Sequence, residues 1–371
     1  MTSSAATGIG TTRIPAGRES ATGMRVVIVG ATGNVGSSLV SVLSGAEGIE
    51  SILGVARRLP RLRLPRTEWA AADVEHSDLE PLFRGADAVV HLAWRIQPSR
   101  DVGAMGRTNV LGSSRVFAAA AAAGVPNLLY ASSVGVYSPG PKDRRVDESW
   151  PREGTRSSDY ARQKAEVERR LDDFEAEHAG VRVVRLRPGL TFKGEAASGI
   201  RRLFAGPFFP SPLARPGLVP FVPDIPRLRF QGVHSLDVAE AYRLALVSDV
   251  TGAFNIAADP VLDPRELGRL LQARLLRVPA AALRTAVTLS WRARLQPTPA
   301  GWLDLALSVP LLDTTRAETE LGWRAERDAG DAFLELLEGF RRSSGLDTPP
   351  LEPHAGGPLR LRELATGVGA K

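Results

Sequence analysis

Short runs of apolar residues alternate along this chain with longer, alanine-rich runs whose apolar positions recur with helical spacing. The short runs predict strands and the longer runs predict helices. The strands are predicted at residues 25–29, 51–55, 86–92, 127–131, 181–186 and 253–256, and the helices at residues 37–43, 113–123, 159–178 and 236–247. Strands that alternate with helices in this way are typical of βαβ units. The pattern therefore predicts an α/β fold with a parallel sheet.

The alternation changes near residue 190. Seven prolines lie between residues 207 and 226, with phenylalanines among them, and proline excludes a regular helix or a central strand. We expect a long loop that caps a pocket with an apolar lining; the alternative is a packing loop without ligand contact.

Residues 1–23 are predicted to be a disordered leader and residues 345–371 a flexible tail, because the residues at both ends are small and polar and include glycines.

A glycine turn follows the first predicted strand directly and leads into a helix. Such a turn presents backbone N–H groups and a helix N-terminus to a pyrophosphate. Gly30 permits the tight exit from the strand, Gly33 lets the phosphates approach the backbone, and Gly36 lets helix and sheet pack closely. Together with the βαβ pattern beyond it, the turn predicts dinucleotide binding. The candidate cofactor-binding residues of the turn are Gly30, Thr32, Gly33, Asn34, Val35 and Gly36.

Composition narrows the class of protein. The chain has 371 residues, of which 43% are hydrophobic, enough for one elaborated domain or two. It has no cysteine and five scattered histidines, so no metal site is expected. No segment approaches the roughly 20 apolar residues that cross a bilayer, and we expect a cytoplasmic protein without a membrane partner. The net charge of +6 would permit a nucleic acid or an anionic ligand.

Lysine is rare in this chain, which has 47 Lys and Arg residues. The lysines are Lys142, Lys164, Lys193 and Lys371. Lys164 follows Tyr160 by four positions in a predicted helix, so both side chains share one face. A compact ammonium can sit beside a phenol and lower its pKa, whereas a wide guanidinium would be misplaced. Tyr160 is therefore the predicted general acid/base and Lys164 its electrostatic support.

Further motifs accompany the glycine turn and the Tyr160–Lys164 pair. They are HLAW at residues 91–94, SSVGVY at 132–137, LRPG at 186–189, VHSLDVAEA at 233–241 and ETELGW at 318–323. Together they resemble the extended short-chain dehydrogenase/reductase superfamily of NAD(P)-dependent epimerases and dehydratases, over roughly residues 24–340. The resemblance implies a Rossmann-type doubly wound sheet over residues 24–189. It also implies a smaller, mostly helical substrate-binding part over residues 190–344, from which residues 231–257 return to the Rossmann domain.

The same resemblance implies several cofactor contacts. Asp73 and Val74 are expected to flank the adenine, and Lys164 to bond the nicotinamide ribose. The remaining contacts that the resemblance implies are Leu92, Ala93, Tyr160 and Pro188. Two alternatives stay open, namely that Asp73 caps the following helix and that Leu92 belongs to the core.

The residues after the second strand bear on the choice of cofactor. An acidic residue there would accept hydrogen bonds from the ribose 2′-OH, whereas arginine would pair with a 2′-phosphate. This chain has Arg57 and Arg58 at that place. NADP is therefore favoured over NAD, which stays open. A 2′-phosphate would account for these arginines without a nucleic acid.

A serine pair ends the strand predicted at residues 127–131. By the family pattern Ser133 supplies the hydroxyl that holds the substrate oxygen, with Ser132 in reserve, and a turn cap is the alternative for both. Trp94 and the proline-rich loop are candidate walls for the substrate. Ser133, Tyr160 and Lys164 thus form the predicted catalytic set.

The resemblance implies an NAD(P)-dependent oxidoreductase or epimerase that transfers hydride at a carbinol or ketone carbon of a small-molecule or sugar-like substrate. Val134 and Gly135 stand where sugar-nucleotide 4,6-dehydratases carry an Asp-Glu pair, which disfavours dehydration. A non-catalytic nicotinamide-binding redox regulator is the alternative, and a nucleic-acid binder is a third. Dimers are common in the family, so a homodimer is a candidate assembly.

Overall fold

Seven parallel strands form the central sheet of the computed structural model, which describes residues 23–97 and 100–353. The strands of the described residues, inside and outside this sheet, are β1 (Met24–Val29), β2 (Ile49–Ala56), β3 (Thr67–Ala71), β4 (Ala88–His91), β5 (Asn127–Ala131), β6 (Arg145–Val146), β7 (Arg182–Pro188), β8 (Leu190–Phe192), β9 (Phe221–Asp224), β10 (Gly232–His234), β11 (Gly252–Ile256), β12 (Arg274–Arg277) and β13 (Leu311–Leu312). The order in the central sheet is β11-β7-β5-β4-β1-β2-β3. This order is doubly wound, and the expected Rossmann-type fold is confirmed.

Helices connect most of these strands. They are α1 (Asn34–Ser44), α2 (Glu80–Phe83), α3 (Val102–Gly106), α4 (Gly112–Ala122), α5 (Asp159–Glu177), α6 (Ala197–Ile200), α7 (Ser235–Val247), α8 (Pro264–Leu271), α9 (Ala280–Arg292), α10 (Gly301–Ser308), α11 (Thr315–Glu320) and α12 (Ala329–Arg342). Residues 107–111 and 201–205 follow α3 and α6 as wider π-helical turns. None of the helices in the described ranges is long and apolar enough to cross a bilayer.

The core lies on both faces of the central sheet. Val26 and Ile28 of β1 pack in the same apolar cluster as α1 and α7, whereas Val27 and Val29 pack in the cluster that contains α4 and α5. Since both faces are covered, the strands need apolar residues at every position rather than at alternate ones. This is why residues 26–29 of β1 form a continuous apolar run.

A crevice opens at the carboxyl edge of the sheet between β1 and β4. Strand β1 pairs with β2 on one side and with β4 on the other, so the strand order reverses at this place. The connections that leave β1 and β4 therefore diverge, and ligands of doubly wound proteins bind in the crevice between them.

The proline-rich stretch is less irregular than the sequence predicts. Strands β8 and β9 lie within residues 190–226, where we expect a continuous loop, and form two-stranded parallel ribbons with β10 and β12. The expectation of an unbroken loop is therefore wrong at these two places. Pro223 is tolerated in β9 because a two-stranded ribbon leaves each strand with an edge that needs no donor.

Part of the segment predicted as a tail packs against the body of the protein. Thr348 and Leu351 are buried, and the Leu351 side chain lies next to Gly199. Residues 1–22 and 354–371 lie outside the described residues, and so do those parts of the predicted leader and tail.

Candidate active site

The glycine turn brings the loops after β1 and β4 into contact. Gly30 has a φ of +90°, and a Cβ there would lie 2.5 Å from the backbone nitrogen of Ala93. A Cβ on Gly36 would overlap the carbonyl oxygen of Gly30. Both positions therefore require glycine, one for its left-handed backbone and one for the close approach of α1 to the turn.

The middle of the turn faces open space. A Cβ on Gly33 would meet a single atom within 4 Å, the Gly30 carbonyl oxygen at 3.5 Å. Asn34 donates from Nδ2 to the Thr191 carbonyl over 3.2 Å, and its buried Oδ1 has no partner among the described residues. Helix α1 begins here, so its first backbone N–H groups point toward this space. Thr32, which is buried, and Val35, which is half-buried, complete the turn. The arrangement can hold an anion such as a pyrophosphate.

Residues from the neighbouring strand ends surround the turn. Arg57 and Arg58 are exposed directly after β2, at the carboxyl edge of the sheet. After β3, the Asp73 carboxylate accepts the Glu75 N–H over 2.9 Å, so it caps a local turn and not the following helix α2, which begins at Glu80. Val74 is buried against Gly112 of α4.

The loop after β4 and the end of β7 complete the surroundings of the turn. Leu92 donates its N–H to the Val29 carbonyl over 2.8 Å, and both Leu92 and Ala93 are half-buried. The Leu92 side chain packs against the core, as the alternative for this residue proposes. Pro188 ends β7 and is half-buried.

Lys164 is buried, with 3% of its surface exposed. Its Nζ donates to the Ala131 carbonyl over 2.5 Å and lies 3.6 Å from the centre of the Trp94 ring. Burial lowers the pKa of Lys164 well below its usual value, and the negative charge of Glu168 opposes that shift. The ammonium is thus held by a carbonyl and an aromatic face at the end of β5.

Tyr160 lies one helical turn earlier on α5 and contacts the same indole. Its ring meets Trp94 edge-on with centroids 5.9 Å apart, and it meets Trp302 at 4.8 Å. Because Tyr160 and Lys164 both contact Trp94, the two side chains point to one place at the mouth of the crevice.

The pKa of the Tyr160 phenol is raised by burial, while a hydrogen bond with Ser133 works in the opposite direction. The sequence led us to expect a lowered pKa. The difference arises because the ring is enclosed by apolar groups, and desolvation disfavours the phenolate. A phenol of raised pKa keeps its proton near neutral pH and is a weaker acid than an exposed tyrosine.

The two serines after β5 have different partners. Ser133 Oγ accepts the Gly135 N–H over 3.0 Å and lies beside Gly135 together with the Tyr160 ring, where it lowers the pKa of the phenol, whereas Ser132 Oγ donates to Glu168 over 2.5 Å. Ser133 therefore caps the turn and meets the phenol at the same time. The Ser132 hydroxyl is used in its hydrogen bond to the Glu168 carboxylate.

Comparison with known proteins identifies this arrangement. Residues 26–196 match the model of the NAD dependent epimerase/dehydratase family. These residues belong to that family. The resemblance inferred from the motifs is confirmed, and the family region includes the glycine turn, both serines, Tyr160 and Lys164.

Two solved structures share the fold along most of the chain. A UDP-glucose 4-epimerase from Thermus thermophilus in complex with NAD has a TM-score of 0.63 at 22% identity, covering 86% of this chain and 99% of that one. DesIV, a dTDP-glucose 4,6-dehydratase from Streptomyces venezuelae with NAD bound, has a TM-score of 0.63 at 20% identity, covering 86% of this chain and 97% of that one.

A curated relative matches part of the chain. It is a putative dihydroflavonol 4-reductase from Synechocystis sp., 29% identical over 129 residues. The match spans 33% of this chain and only 36% of the length of the relative.

A buried ion pair ties helix α5 to strand β7. Glu168, on α5 one turn beyond Lys164, is fully buried and accepts two hydrogen bonds from Arg187 of β7, at 2.9 and 2.5 Å. Burial by itself would raise the pKa of Glu168, but Arg187 outweighs burial and the pKa lies below its usual value. Arg187 also donates to the Tyr137 hydroxyl over 3.0 Å. One carboxylate therefore joins α5, the serine turn and β7.

Sequence reasoning missed two residues of this site, Glu168 and Trp302. Glu168 stands eight positions after Tyr160, so helical spacing places it on the same face as the catalytic pair and could have revealed it. Trp302 reaches Tyr160 from a helix far along the chain, and no spacing in the sequence signals that contact.

We predict that Glu168→Gln lowers the free energy of unfolding by about 3–5 kcal/mol, because it leaves Arg187 as a buried cation without its counter-charge. Glu166→Gln is the matched control, since Glu166 pairs with Arg169 and Arg170 on the half-exposed face of the same helix. The control should cost no more than about 1 kcal/mol. Urea-induced unfolding measures both, and equal losses would contradict the role given to the buried pair.

Proposed function

We propose that the protein catalyses reversible hydride transfer between a nicotinamide dinucleotide, preferably NADP(H), and a secondary carbinol or ketone. The observation that supports this proposal most is the meeting of Tyr160, Lys164 and Ser133 at the crevice that the glycine turn opens. The two solved neighbours hold NAD and the partial relative is named a putative dihydroflavonol 4-reductase, which supports a nicotinamide dinucleotide and a reductase reaction.

The residues of the crevice fit a dinucleotide. The open backbone at Gly33 and the start of α1 suit the pyrophosphate, and the unpartnered Asn34 Oδ1 can accept a hydrogen bond from the ligand. Arg57 and Arg58 would pair with a 2′-phosphate. The remaining residues that would line the cofactor are Asp73, Val74, Leu92, Ala93, Lys164 and Pro188. When bound, the dinucleotide supplies the hydride for reduction or accepts it in oxidation.

Proton transfer to the substrate oxygen would be carried out by side chains of this protein. In the reductive direction Tyr160 would donate its proton to the substrate oxygen as the carbonyl carbon takes up the hydride that the dinucleotide supplies, and the phenolate would regain a proton from solvent. Ser133 would hold the same oxygen by a hydrogen bond. The raised pKa of Tyr160 keeps the phenol protonated near neutral pH, and the charge of Lys164 would stabilise the phenolate that forms when the proton is given up.

We predict that Tyr160→Phe lowers kcat for ketone reduction by roughly 100- to 10,000-fold, because the proton donor is removed. The dissociation constant of NADPH should change little, which fluorescence titration measures. Tyr242→Phe is the matched control, since the Tyr242 hydroxyl is buried without a hydrogen-bond partner in the described ranges. A Tyr160→Phe enzyme as fast as the wild type would overturn the proposed function.

A second prediction concerns the choice of cofactor. Arg57→Ala and Arg58→Ala should each weaken NADPH binding about 10- to 100-fold, because a charge-assisted contact to the 2′-phosphate is lost. NADH affinity should hardly change, since NADH lacks that phosphate. Arg63→Ala, at another exposed site of the same loop, is the control. Unchanged NADPH affinity in both variants would leave NADP preference without support.

A further inference from the structure

The Tyr160 ring belongs to a group of four aromatic side chains, one of which also contacts Lys164. This aromatic cluster consists of Trp94, Tyr160, Phe204 and Trp302. Tyr160 and Trp302 lie 4.8 Å apart with ring planes inclined by 36°. Phe204 meets Trp302 edge-on at 4.9 Å. The phenol that is proposed to move the proton is thus one ring of a continuous aromatic surface.

Four separate segments build this surface. Helix α10 brings Trp302 to Tyr160 by docking on the start of α5, where Gly301 lies against the backbone of Ser157 with no room for a side chain. The Gln97 amide donates to the Leu203 carbonyl over 2.7 Å and to the Pro297 carbonyl over 3.2 Å. The loop after β4, the π-helical turn of residues 201–205 and the segment before α10 are therefore tied together around the cluster.

The groups that contact Tyr160 in the cluster are aromatic rings, Trp94 at 5.9 Å and Trp302 at 4.8 Å between ring centroids. Lys164, the cation nearest to these rings, donates to the Ala131 carbonyl and lies over the Trp94 face. Trp302 and Phe204 are half-buried, so part of each ring stays exposed. The cluster therefore suits an apolar ring.

We propose that the substrate is a ketone or carbinol attached to an aromatic or similarly planar apolar ring, which packs against Trp302 beside the Tyr160 phenol. This inference rests on the proposed function and names its substrate class. Rings pack with one another in offset or edge-on contact, and Trp302 offers such a surface next to the proton donor. Trp302 and Phe204 are then the residues that determine specificity.

The test compares aryl ketones with a nucleotide sugar. Acetophenone, benzil and flavanone are offered with NADPH, and UDP-glucose is offered with NADP⁺ and with NAD⁺. We expect the aryl ketones to be reduced and UDP-glucose to be oxidised at least about 100-fold less efficiently in kcat/KM. Faster turnover of UDP-glucose, or no reduction of any aryl ketone, would overturn the inference.

Variants of the cluster give a second readout. Trp302→Ala should raise KM for aryl ketones roughly tenfold or more with a smaller change in kcat, because a stacking surface is lost. Trp302→Phe should fall between Trp302→Ala and wild type. Trp291→Phe, on α9 and outside the cluster, is the control. Equal KM values for Trp302→Ala and Trp291→Phe would overturn the inference.

The two proposals fail in different ways. If the protein binds neither NADPH nor NADH, or if Tyr160→Phe is as active as the wild type, the proposed hydride transfer is wrong. If cofactor binding and dependence on Tyr160 both hold while UDP-glucose is the better substrate, the substrate class alone is wrong.

Discussion

The burial of one ammonium group is the constraint on which the candidate site depends. Lys164 Nζ is enclosed by the Ala131 carbonyl and the Trp94 ring, where desolvation favours loss of its proton. Its charge is supported by Glu168 on the same helix face, and Glu168 is itself fixed by Arg187. Helix α5 is therefore tied both to the serine turn and to the end of β7.

Sequence patterns predicted the Rossmann half well because its strands are buried on both faces. The strands predicted at residues 25–29 and 127–131 contain the apolar runs 26–29 and 128–131, and the structure places β1 and β5 within one residue of the predicted bounds. Strand β3 was harder to see, because Thr67–Ala71 lies at the sheet edge and is only half-buried. Strands β8 and β9 were not predicted because each forms a two-stranded ribbon with a strand that lies far away along the chain, β10 for β8 and β12 for β9.

For the candidate site, the sequence could predict only residues that are close to one another along the chain. Such residues are Tyr160, Lys164 and those of the glycine turn. The scarcity of lysine carried more information than we drew from it, because Lys142 and Lys193 are buried as Lys164 is. Trp302 was beyond reach, since its contact with Tyr160 depends on how α10 docks against α5, a packing that no short motif encodes.

Replacement of Lys164 by arginine tests the central claim most directly. Lys164→Arg keeps the positive charge but puts a planar fork where a compact ammonium fits between a carbonyl and an indole. If the position of that ammonium matters, the folded variant should reduce ketones with kcat/KM at least roughly 100-fold below the wild type. A folded Lys164→Arg protein with wild-type kcat/KM would contradict this account of the site.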